Sequence, residues 1–105
     1  MAVGLILRFP GRTRADYDAV NEKLGIDQNA DTHENFPEGL LSHAAGEAGG
    51  ALTVMEVWES REAQGRFMQE RLGRALQEGG VTGTPEITWI DPLVSYHAFG
   101  KTAAV

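Results

Sequence analysis

The chain contains no cysteine. Disulfides, thiolate metal sites and cysteine nucleophiles are therefore excluded. It also lacks any apolar run long enough to cross a membrane: the longest, Val3 to Leu7, has the length of a strand. Positive charge is scarce, with 9 Lys and Arg against 15 Asp and Glu and a net charge of −6. A diffuse acidic surface argues against nucleic acid and anionic membrane as partners. No basic segment followed by a long apolar stretch opens the chain, so a cytoplasmic protein is expected. The glycine clusters at Gly46–Gly50 and Gly79–Gly83 are not phosphate loops, because no Lys-Ser or Lys-Thr follows either. No Gly-x-Ser-x-Gly elbow is present. His33 lies near Asp31 and Glu34 but not at helix-borne metal-ligand spacing, so no metal site is expected.

What is there is patterned. With 105 residues, 42% of them hydrophobic, the chain can form one domain with a real core. Ala2 to Phe9 reads as a strand apolar on both faces, hence central in its sheet. Pro10-Gly11 ends it. Thr13 is a helix cap with Asp16 three residues on, and Tyr17, Val20 and Leu24 form one helical face up to Gly25. Ile26 to Glu38 is a polar loop. Gly39 to Ala45 and Leu52 to Glu59 read as a hairpin around Gly46–Gly50. Ser60 caps a second helix whose stripe is Ala63, Phe67, Met68, Leu72, Ala75 and Leu76, and Gly79-Gly80 ends it. Glu86 to Ile90 is a fourth strand. Leu93 to Phe99 is an extended tail or a continuation of that strand.

The order β-α-β-β-α-β is that of the ferredoxin-like α+β fold: a four-stranded antiparallel sheet with two helices on one face, as a single domain over 1–105. Strands alternate, so the helices cannot cover every apolar strand residue. A homodimer that buries the second sheet face is expected.

Few residues are suited to chemistry. His43, mid-strand between Leu41 and Ala45, is the candidate catalytic residue, since imidazole exchanges protons near neutral pH. Its alternative role is a hydrogen-bonded core or interface histidine. Trp58 joins the third strand to the second helix; it either stacks on a flat ligand or packs as a core aromatic. Trp89 has the same two readings. Glu56 shares a strand face with Trp58 and is solvent-facing, half of an ion pair or a pocket acid, with Arg8 expected to reach Glu56 or Glu59. Tyr17 either offers a hydroxyl to a pocket from the first helix or packs in the core as part of the helical stripe, with its hydroxyl at the edge. Phe67, Met68 and Leu72 would form its apolar wall. His97 and Tyr96 on the tail are expected to lean on a partner subunit.

The strand order, the strand-end Val57-Trp58-Glu59-Ser60, Phe67 on the second helix and Gly39-Leu40-Leu41-Ser42-His43 resemble the dimeric α+β barrel superfamily. Within it, the antibiotic biosynthesis monooxygenase-like group is the most similar. The resemblance implies one ligand cavity per subunit. It also implies oxygenase chemistry without metal or organic cofactor on an aromatic or polyphenolic metabolite: a phenol or quinol loses a proton and its anion meets oxygen. The superfamily also holds lyases, isomerases and members without known activity, so a non-catalytic ligand-binding or structural homodimer is the alternative. The haem-degrading branch has a similar Trp-Glu-Ser, but there the second helix supplies a histidine. Arg61 to Glu78 here contains none.

Overall fold

The computed structural model describes residues 2–30 and 32–99. Strand β1 (Val3–Pro10) leads into helix α1 (Arg14–Leu24); β2 (Leu40–Ala48) and β3 (Ala51–Trp58) form a hairpin; helical residues 61–78 follow, and β4 (Glu86–Ile90) comes last. All pairs are antiparallel in the order β2-β3-β1-β4, the ferredoxin-like arrangement. The hairpin is longer than the sequence suggests: β2 continues through Gly46 to Ala48, and only Gly49 and Gly50 turn, both with positive φ. Leu93 to Phe99 adds no strand.

Local chemistry sets the element ends. The Asp16 carboxylate accepts the Thr13 N–H at 2.9 Å, and Gly25 closes α1 at φ 74°. Ser60 Oγ accepts the Ala63 N–H at 3.1 Å, capping α2 (Arg61–Phe67). The second helical segment is not a plain α-helix. A π-helical turn, Met68–Leu72, separates α2 from α3 (Gly73–Glu78), and the Gly73 N–H donates to the Met68 carbonyl. The wider turn brings Leu72, five residues after Phe67, back toward the sheet.

The helices cover the sheet face that carries Val3, Leu5, Leu7 and Phe9 of β1 and Leu52, Val54 and Trp58 of β3, all buried. Val20, Ala63, Phe67, Ala75 and Val81 complete this core. Fully burying a large side chain such as Leu5 contributes about 1.5–3 kcal/mol. Pairing register places His43 opposite Glu56 and Ala45 opposite Val54, so His43 lies on the helix-covered face. Arg8 lies on the other face, opposite Thr53 and Glu86. Its expected partners Glu56 and Glu59 are therefore not the ones it meets. It pairs with Glu86 at 2.7 Å, with both side chains exposed. Such a pair contributes about 0–1 kcal/mol.

Candidate functional site

A cavity lies between α1, the helix-covered sheet face and the loop that joins α1 to β2. Leu7, Phe9, Leu52 and Val54 form its sheet side, Tyr17, Val20, Asn21 and Leu24 its α1 side, and Phe67, Leu72 and Leu76 its far helical wall. Ile26, Gln28, Phe36 and Pro37 line it from the loop. Its volume is about 70 Å³, and it is open to solvent on one side. The cavity is smaller than the roughly 300 Å³ of pockets that enclose a drug-sized ligand.

One wall of this apolar space is polar. The Tyr17 hydroxyl lies 2.6 Å from His43 Nε2. His43 Nδ1 lies 2.7 Å from Glu56 Oε2. The other carboxylate oxygen, Glu56 Oε1, accepts the Trp58 indole N–H at 2.9 Å. Side-chain exposure is 15% for His43 and 9% for Glu56, so the chain of bonds is largely sheltered from water. A carboxylate only accepts hydrogen bonds. In neutral His43 the proton therefore sits on Nδ1, facing Glu56, and the Nε2 lone pair accepts from Tyr17. Burial pushes the Tyr17 phenol up from 10.0 to about 12, opposed by the Asn21 side chain and reinforced by the charges of Glu56 and Asp18. Below that pH it remains a hydroxyl donor.

Of the residues singled out in the sequence, Tyr17, His43, Glu56, Phe67 and Leu72 meet in this cavity. Trp58 does not line it. It is 0% exposed and tilted against Phe67, leaving no face for a ligand; its link to the site is the bond to Glu56. Met68 also lies off the cavity, because one residue beyond Phe67 the helix has turned away. Trp89 sits on β4, at the sheet edge opposite β2, under the Arg61 guanidinium at 4.7 Å from the ring centre. The sequence reading missed Asn21, Gln28 and Phe36. Asn21 donates to the Tyr17 carbonyl at 3.1 Å and accepts from Gln28 Nε2 at 3.1 Å. Its spacing of four residues from Tyr17 was the available signal. Among the described residues no three His, Asp or Glu side chains gather as a metal site requires.

No family model matches the sequence, and no curated protein matches it either. Solved structures do match. Rv0793 from Mycobacterium tuberculosis superposes with TM-score 0.62 at 21% identity, over 92% of this chain and 100% of that one. SnoaB, a cofactor-independent oxygenase from Streptomyces nogalater, matches with TM-score 0.61 at 14% identity, over 90% of this chain and 95% of that one. The chain has the fold of the antibiotic biosynthesis monooxygenase-like proteins. A monooxygenase of Streptomyces coelicolor, from the gene ActVA-Orf6 and in complex with the ligand nanaomycin D, has TM-score 0.58 at 18% identity, with 93% of both chains covered. At these identities the similarity is one of fold.

Proposed function

We propose that this protein is a homodimeric, small-molecule-binding enzyme of the cofactor-independent monooxygenase type, acting on a phenolic or quinolic aromatic. The carrying observation is the hydrogen-bonded chain Tyr17–His43–Glu56 on one wall of a mainly apolar cavity, with buried Trp58 bonded to Glu56 behind it. An apolar pocket with a few convergent polar groups suits a flat, mostly hydrophobic ligand with one ionisable hydroxyl. Neutral His43 is the proton acceptor. Glu56 holds its tautomer and stabilises the imidazolium that forms, and Trp58 fixes the Glu56 carboxylate. The deprotonated, electron-rich ring then reacts with dissolved dioxygen, the oxidant.

The likeness to SnoaB and to the Streptomyces coelicolor monooxygenase supports this reading at the level of fold. A second reading, a ligand-binding protein without turnover, draws on the fact that both His43 nitrogens are already bonded within the protein. Oxygen uptake with a panel of single-ring and two-ring phenols and quinols separates the two. The enzyme reading expects uptake with at least one compound and its loss in His43→Ala. That variant should remain folded but less stable by about 1–3 kcal/mol, because Glu56 Oε2 loses its partner. Binding of the panel without uptake would favour the second reading.

A further inference from the structure

His43 has no nitrogen to spare for a substrate. Nδ1 faces Glu56 at 2.7 Å and Nε2 faces the Tyr17 hydroxyl at 2.6 Å. A proton leaving a ligand must either displace that hydroxyl or pass through it. Displacement is costly, because Tyr17 is held from both ends. Its backbone sits in the first turn of α1, with its N–H donating to the Thr13 carbonyl and its carbonyl accepting from the Asn21 side chain, and its ring meets the His43 ring end-on, the planes 16° apart. Passage needs no movement.

We propose that Tyr17 is the catalytic residue that touches the substrate hydroxyl and hands its own proton on to His43. This deepens the function proposed above and rests on it. The substrate O–H bond breaks and its proton bonds to Tyr17 Oη. At the same time the Tyr17 O–H bond breaks and that proton bonds to His43 Nε2. The products are a substrate oxyanion, an unchanged tyrosine and an imidazolium, so charge and atoms balance without an oxidant. Glu56 accepts the Nδ1–H bond throughout and faces the new cation directly. Tyr17 ends the step as a donor to the oxyanion, the group whose charge has just developed.

The surroundings fit. Tyr17, His43 and Glu56 are the ionisable side chains among the described residues that line the cavity. Asp18, next to Tyr17 on α1, and Glu56 on β3 both resist a lasting tyrosinate, as burial does. The tyrosine therefore passes a proton without storing the charge. The relay also states what the ligand must carry: an acidic hydroxyl at its buried end, on a body apolar enough for the surrounding walls.

The probe is p-nitrophenol, whose anion is coloured, with its methyl ether p-nitroanisole as a control that has no proton to give. At a pH below the probe's own pKa, wild-type protein should bind p-nitrophenol as the coloured anion and bind it at least tenfold more tightly than the ether. Tyr17→Phe, which keeps the ring and the cavity wall, should still bind both compounds but lose the colour and the preference. His43→Gln should lose the colour as well. Thermal melting confirms that each variant is folded.

Retained colour in Tyr17→Phe with loss in His43→Gln would overturn the relay and make His43 the group in contact. Equal affinity of wild-type protein for phenol and ether would overturn it without recourse to any variant. Failure of wild-type protein to bind either compound would instead strike at the ligand-binding function on which the relay rests.

Discussion

Tyr17 has a measurable property independent of any substrate. Burial holds its phenol neutral up to about pH 12, whereas an unfolded tyrosine ionises near 10.0. The folded state thus binds more protons than the unfolded state between those values. Its stabilising contribution is fully present below pH 10 and is lost as pH climbs through 12. The chain has two tyrosines, so a Tyr96→Phe variant isolates the one of interest. Its ultraviolet titration should show a single ionisation near pH 12, with an earlier rise only when the protein unfolds. A midpoint at the ordinary tyrosine value in the folded protein would mean that the ring is not buried as described. Tyr17 was legible on the α1 stripe, and His43 and Glu56 as strand-borne candidates whose facing the sequence left open. The way they connect was not, since it depends on β2–β3 register. Asn21 and Gln28 escaped notice because polar residues on a helix and in a loop read as solvated. Trp58 shows the same gap: its place at the strand end was plain, but its role as a donor to Glu56 needed the side-chain geometry.

Element order and sheet pairing were readable because the period changes from two to three-and-a-half along the chain with clear caps between. The π-helical turn was not, because an extra residue in a helix leaves the apolar stripe almost unchanged. Its effect is structural: it carries Arg71, whose Nη2 donates to the Leu24 carbonyl at 3.1 Å and the Asn35 carbonyl at 2.6 Å. One helix thereby holds the α1 end and the cavity-lining loop together. That loop enters β2 through Gly39, which has φ 91°. A Cβ at Gly39 would stand 2.6 Å from the Ala63 Cβ, and Ala63 is a short, buried side chain that cannot swing away. Gly39→Ala therefore combines backbone strain with overpacking and should cost about 2–4 kcal/mol in denaturant unfolding. A loss within a few tenths would show that the loop and α2 can separate freely.

For the molecule as a whole, the uncovered sheet face sets the remaining problem. Register aligns Ile6 with Met55, and Gly4 with both Val57 and Ile90. Met55 is 53% exposed and Ile90 42%. The tail beyond β4 adds Val94 and Phe99, both almost fully exposed. A row of apolar side chains across a central strand pair, with apolar residues reaching past the sheet edge, is the kind of surface that soluble chains keep for association. The occupant belonging to the proposed homodimer is a second copy packed on this face. A stable interface of this kind buries roughly 800 Å² per partner. Met55 is at the middle of the face and is largely solvent-exposed in the single chain, so Met55→Glu should leave the fold intact. It would, however, bury two carboxylates near each other in a symmetric dimer, a cost of several kcal/mol. Light scattering at micromolar concentration should give a dimer for the wild type and a monomer of unchanged helicity for Met55→Glu. A wild-type monomer at that concentration would remove the dimer from the proposal. It would also leave the cavity to be judged on the walls of one chain alone, where Tyr17, His43 and Glu56 already stand complete.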